Sequence, residues 1–281
     1  MAPEVQELKK SFGKAVIWIL FLLVVATGTT YAWFSLSGLA STNVTPMAGT
    51  ISKGSSALLI SENQSGPFAK TCQLVLDGNP DTLKPVSTPD LEHFYRSIAQ
   101  NKEGITVLYE NADNRIKQDA VHGIVYLKCE NADCDVYFNR EELNLGTDGQ
   151  ALAAMRLGMK ITSHSGTEKF LWKLDELGQT GSAQSVQTIP RTNAVVSSIS
   201  QNGEAVYIDD PAKNISDYMV RTGSGSEEFR AGNQKVVSLD ENEVATVEYW
   251  LYLEGCDEQC SNPVQNRSSE IKLAFAGVDR K

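Results

Sequence analysis

The strongest constraint in the sequence is an alternation of apolar and polar residues with period two, repeated along most of the chain. It is clearest near the carboxy terminus. There Val247, Tyr249, Leu251 and Leu253 share one face of an extended run, and Glu248, Trp250 and Tyr252 share the other. Successive side chains of a β-strand point to opposite faces, so such a run reads as a strand with one face in a core. The pattern recurs in Ala153, Met155, Leu157, Met159 and Ile161, and again in Ile271, Leu273 and Phe275. Shorter strand-like runs stand at Ser56–Ser61, Cys72–Leu76, Ile105–Tyr109 and Gly123–Lys128, with Ala48–Thr50 leading into the first. Clusters of Gly, Asn, Asp, Pro and Ser between them, such as Asp77–Pro80 and Thr222–Ser226, read as turns. Gly178 to Thr192 is weakly patterned and polar, and reads as a long loop. The chain is therefore expected to be mainly β. The two carboxy-terminal runs are expected to form an antiparallel hairpin that turns at Glu254 and Gly255, with Phe275 facing inward and Lys272 outward.

One helix is expected to interrupt the strands. Thr88 suits its N-cap, Pro89 its first position, and Asp90 the positive end of its dipole. Leu91, Phe94, Tyr95 and Ile98 would form its apolar face.

The amino terminus follows a different pattern. Ala15 to Phe34 is a charge-free stretch preceded by Lys9, Lys10 and Lys14. At helical rise it just spans a bilayer core of ~30 Å, with the lysines on the cytoplasmic side. Its most apolar part, Ala15–Ala26, also has the length of a signal-peptide core, and Thr30 and Ala32 are small residues at −3 and −1 of a cleavage before Trp33. Residues 1–32 therefore read as a signal peptide or membrane anchor, 33–47 as a stalk or donor-strand segment, and 48–281 as one β domain. The partners implied are the membrane, through residues 15–34, and a signal peptidase.

Charge narrows the function classes. The formal net charge is −10, and the first 32 residues hold three lysines against two glutamates, so the remainder stands at −11. Nucleic acid and anionic lipid would repel such a domain, and nucleic-acid binding is set aside. No cofactor fingerprint, P-loop or nucleophile elbow is present in the sequence, and no enzyme activity is expected. His93, His122 and His164 have no metal-ligand spacing and read as surface or sheet residues.

Of the five cysteines, Cys129 and Cys134 form one close pair and Cys256 and Cys260 another. In an exported chain such pairs read as local disulfides, with free thiols and a metal site as the other readings. Cys72 reads as a free thiol packed like a small apolar residue.

Two stretches carry a resemblance. The first is Ala26–Phe34 followed by Val44–Ile51, and the second is Trp250–Cys260 closed by Glu270–Gly277. Both resemble the TasA/camelysin-like exported proteins of Gram-positive bacteria, whose signal peptides are removed by a SipW-type peptidase; the second stretch looks closest to the clostridial branch. The resemblance implies a jelly-roll-like antiparallel β-sandwich and a structural role at the cell surface or in the extracellular matrix. In TasA-type fibres the segment freed by cleavage adds as a strand to the next subunit, which here would be Trp33 to Thr45. The other reading is a membrane-anchored adhesion or binding domain that does not polymerise, with Ser35–Thr45 as its stalk.

Overall fold

A computed structural model describes residues 43–44, 47–51, 57–72, 83–100, 107–144, 149–174, 194–220, 234–257, 260 and 270–280. Within them the fold is mainly β, as the alternation predicts. In chain order the strands are β1 (Asn43–Val44), β2 (Met47–Ile51), β3 (Ala57–Ser61), β4 (Thr71–Cys72), β5 (Pro85–Val86), β6 (Tyr95–Gln100), β7 (Val107–Asn111), β8 (Val121–Glu130), β9 (Cys134–Asn139), β10 (Met155–Ser163), β11 (Gly166–Lys173), β12 (Ala194–Ile199), β13 (Ala205–Asp209), β14 (Lys213–Asn214), β15 (Met219–Val220), β16 (Val237–Leu239), β17 (Val244–Glu254), β18 (Glu270–Ile271) and β19 (Ala274–Asp279).

The largest sheet runs β14-β11-β10-β17-β8-β3, with β5 beside the end of β17. A second sheet runs β15-β9-β19-β2-β4, with β16 also on β9. Ala245, Val247, Tyr249, Leu251 and Leu253 of β17 are buried in one apolar cluster with Val136, Phe138, Leu239 and Phe275 of the second sheet. The Phe138 ring stacks on Phe275 at 5.4 Å between centroids and meets Trp172 edge-on at 5.0 Å. The inward face assigned to β17 from sequence is thus the observed one.

The expected carboxy-terminal hairpin does not form. β17 is flanked by β10 and β8, and β19 by β9 and β2, so the two strands lie in different sheets. Leu273 and Phe275 do reach the shared core, but from the opposite sheet. Pairing is not purely antiparallel either: β2 runs parallel to β19, and β14, β15 and β5 are parallel to their neighbours. Ala153, expected on the face of a strand, lies in the last turn of a short helix at Gly149–Ala154, and β10 begins directly after that helix, at Met155.

The helix expected from Thr88 is also absent. Its capping contacts are present: the Thr88 hydroxyl accepts the Leu91 N–H at 3.0 Å, and Asp90 accepts the N–H groups of Glu92 and His93 at 2.9 Å each. Leu91, however, has φ 61°, the left-handed region, which ends any helical turn there. From Tyr95 the chain runs extended and pairs with β7. Leu91, Phe94 and Tyr95 are buried as expected, whereas Ile98 is exposed. Leu91 sits over Gly158 on the outward face of β10, where a Cβ would lie 2.4 Å from Leu91 Cδ2. Packing across the sheet decides this backbone against the local helix signal.

These residues belong to an outer layer. Val86, Leu91, Phe94, Ala112, Ile116 and Ala120 pack against Leu171, Trp250 and Tyr252 on the outward side of the large sheet. The β6–β7 and β12–β13 pairs meet there, burying Tyr95, Tyr109, Val196 and Cys256 together. β17 is therefore covered on both faces, which accounts for its near-continuous apolar run Tyr249–Leu253.

No helix among the described residues is long and apolar enough to cross a membrane. The expected span Ala15–Phe34, the cleavage site at Ala32 and Trp33, the turns at Asp77–Pro80 and Thr222–Ser226, and the loop Gly178–Thr192 lie outside the described residues.

Candidate functional site

The densest concentration of polar chemistry lies where β17 ends beneath the outer layer. Arg156 enters it from the outward face of β10 and is 2% exposed. Its Nη1 donates to the carbonyls of Ala153 and Met155 at 3.0 Å each, and its Nη2 to Asp210 at 3.1 Å and to Asp257. Lys173 of β11 reaches the same Asp210 carboxylate at 3.3 Å. Burial works against charge on Arg156, but Asp257 and Asp210 outweigh it and raise the guanidinium pKa. Burial likewise opposes ionisation of Asp210, yet the Arg156 charge, the Ala212 N–H and Lys173 hold its carboxyl below the ordinary range.

Glu254, the last residue of β17, is also buried there. Its Oε1 accepts the Cys256 N–H at 3.1 Å, the Ser87 hydroxyl is a second partner, and Oε2 has no hydrogen-bond partner among the described residues. Burial pushes this carboxyl up to about 8. The Cys256 Sγ lies 3.5 Å from the Tyr109 hydroxyl and 3.7 Å from the Ser87 Oγ. Burial first, then Glu254, pushes the Cys256 thiol up to about 12, and burial raises Cys260 further. Neither thiol is a nucleophile at neutral pH, because the reactive species is the thiolate. The arrangement is a buried ion network that fixes the end of β17, the turn after it and the outer layer.

No family model, curated protein or solved structure matches the chain.

The cysteines divide as follows. Cys129 and Cys134 are joined across the turn between β8 and β9, with Cα atoms 6.3 Å apart, within the normal disulfide range. The second expected pair is not joined: Cys256 and Cys260 are both buried free thiols. Cys256 is held instead between Ser87 and Tyr109 of the outer layer, whereas Cys260 packs in the inner core. Cys72 is a half-buried thiol beside that core, pushed up to about 11 by burial.

The three histidines each meet a different carboxylate. His93 pairs with Asp90 at 2.8 Å, and His164 with Glu243 at 2.7 Å. His122 is buried, 2.9 Å from Glu248, with its ring 5.2 Å from that of Trp250. The groups Asp90/Glu92/His93 and His164/Asp240/Glu243 offer ligand types a cation accepts. Both are already engaged in ion pairs, with Lys169 on Glu92 and Arg280 on Asp240.

Sequence reading gave Arg156 no role and saw Asp210 and Glu254 only as turn residues. A signal was present: Trp250 and Tyr252 make the second face of β17 apolar as well, so that face must be covered. A charge on the same face of the neighbouring strand, Arg156, then has to be buried with partners.

Proposed function

We propose that the chain is an exported structural subunit of the cell surface or extracellular matrix, built on a jelly-roll-like β-sandwich, in the manner of the TasA/camelysin-like proteins. The observation that carries this reading is the Cys129–Cys134 bridge. Structural disulfides persist in oxidising compartments and are rare in cytosolic proteins, so the bridge agrees with the exported reading of the lysine-preceded apolar stretch Ala15–Phe34. The sandwich reading is supported by the two sheets, which contribute side chains to one core. The buried network at Glu254 is structural in this reading, and its protonated thiols have no catalytic part. The test is fractionation of producing cells, sequencing of the amino terminus of the extracytoplasmic protein, and electron microscopy of the cell surface and of the purified chain. A start at Trp33 together with fibres is expected. Protein that stays in the cytoplasm sinks the exported reading, and mature protein that remains monomeric in both preparations sinks the fibre reading.

One observation favours the non-polymerising alternative, an anchored adhesion or binding domain. Part of the proposed donor segment pairs within its own chain: Asn43–Val44 lie along Glu270–Ile271, and Met47 pairs with Cys72 in the second sheet. An open sheet edge accepts a strand only while its hydrogen bonds are unmade. An intact amino terminus in the membrane fraction, without fibres, decides for this alternative.

A further inference from the structure

We propose that the Glu254 carboxyl is a proton-operated latch that keeps the outer layer, residues 85–100, 107–120 and 194–210, closed on the large sheet and releases it when the carboxyl ionises.

The geometry fixes which state is compatible with closure. Glu254 faces Arg156 of β10, Asp210 after β13, Asp257 and the thiols of Cys256 and Cys260 in its own turn, Tyr252 of its own strand, and Ser87 after β5. Lys173 of β11 joins through Asp210, and Tyr109 and Tyr207 through Cys256. Two cations, Arg156 and Lys173, are thus already matched by two anions, Asp210 and Asp257. The Arg156 amino groups are committed to those anions and to the carbonyls of Ala153 and Met155. Arg156 is the cation nearest in influence to Glu254, but Asp257 and Asp210 act on Arg156 more strongly, and neither Glu254 Oε2 nor Arg156 Nε makes a hydrogen bond among the described residues. A neutral carboxyl fits this place, whereas an ionised one adds a third buried negative charge, which a protein interior tolerates poorly.

Opening is the available relief, because the wall opposite Glu254 is the outer layer. Ser87 sits between that wall and the sheet: its Oγ accepts the Val196 N–H at 2.9 Å and contacts both Glu254 and Cys256. β5 is bound to the end of β17 by only a two-residue register, Leu253 with Pro85 and Glu254 with Val86. Separation of this seam lets water reach Glu254 and uncovers the Cys256 thiol. Cys260 and the half-buried Cys72 pack with the inner core and not with the outer layer, so their exposure is unchanged by this opening.

The sign is fixed by linkage. The closed state binds the proton more tightly, with the carboxyl pushed up by burial to about 8 against an ordinary 4.5. Closure is therefore most favourable below pH 4.5, weakens as pH rises between the two values, and levels off above the upper one. Across that window the opening constant rises about tenfold per pH unit, on the order of 10³ in all.

The test is the alkylation rate of each thiol in the full-length chain from pH 5 to 9, resolved by peptide mass spectrometry and compared with Glu254→Gln at each pH. The comparison cancels the ordinary increase of thiolate with pH, and the direct effect of an ionised Glu254, which disfavours the Cys256 thiolate, runs opposite to the rise expected from opening. The Cys256 ratio of wild type to variant is expected to climb steeply up to about pH 8 and then flatten, with the Cys260 and Cys72 ratios unchanged. A flat Cys256 ratio overturns the proposal. So does a parallel rise at all three thiols, which is global loosening. Should Glu254→Gln fail to fold, the infrared carbonyl band of a buried protonated carboxyl in wild type decides. Its loss near pH 8, in step with Cys256 labelling, is expected; a band already absent at pH 6 refutes the latch.

Discussion

Truncating Phe275 to alanine tests the joint between the two sheets. The side chain is fully buried and stacks on Phe138, which in turn meets Trp172 of the large sheet edge-on. Removing the ring loses its transfer free energy and leaves a cavity lined by rigid aromatic groups that cannot collapse into it. Such changes cost about 3–5 kcal/mol, including about 0.5–1.5 kcal/mol for the lost aromatic pair. For a domain of this size that corresponds to a fall in Tm of roughly 6–20 °C. The control is Lys272→Ala, whose ammonium reaches Glu142 at 3.5 Å, with both side chains about a third exposed. Such a pair contributes about 0–1 kcal/mol. Urea denaturation of the full-length chain, followed by tryptophan fluorescence, measures both. The reasoning is refuted if the two substitutions shift the midpoint equally, for then Phe275 is not in the shared core.

Non-reducing peptide mapping should find Cys129 and Cys134 in one linked peptide and leave Cys72, Cys256 and Cys260 alkylatable after denaturation; replacing the linked pair by serine should cost about 2 kcal/mol in chemical denaturation. Arg156→Met leaves Asp210 and Asp257 without their main partner in a buried site, an expected loss of about 3–5 kcal/mol, and a stability equal to wild type would contradict the network. Asp210 has a lowered folded pKa, so its stabilisation is present above its ordinary 3.8 and disappears as pH falls through the lowered value; acid titrations of stability should show this limb in wild type and a shallower one in Arg156→Met. Gly123→Ala places a Cβ 2.3 Å from the Tyr249 hydroxyl and 2.6 Å from its Cζ, a clash with a buried ring; overpacking of this kind costs about 1–3 kcal/mol, and a neutral result would mean the ring can move.

The sequence by itself determined the mainly β class, the inward face of β17, and the burial of Leu273 and Phe275, because the alternation of faces is local: it follows from the pleat, whatever the neighbours are. It also proposed the Cys129–Cys134 bridge, but the same short spacing across an acidic turn proposed Cys256–Cys260, and only the tertiary structure, which holds Cys256 beside Ser87 and Tyr109, separates the two pairs. The tertiary structure alone decided which strands are neighbours. Val247–Leu253 and Leu273–Phe275 have matching patterns, but pairing is set by contacts distant in sequence, and these place the two strands on facing sheets. The Thr88 segment shows the same limit at closer range. Its capping groups all form their expected hydrogen bonds, yet Leu91 turns left-handed to fill the space over Gly158, and a local signal worth about a kilocalorie yields to burial of a whole side chain. The Glu254 site was out of reach for the same reason. Arg156, Asp210, Lys173 and Glu254 come from separate parts of the chain, and only the outer layer, folded over a face that composition marks merely as apolar, brings them out of water together.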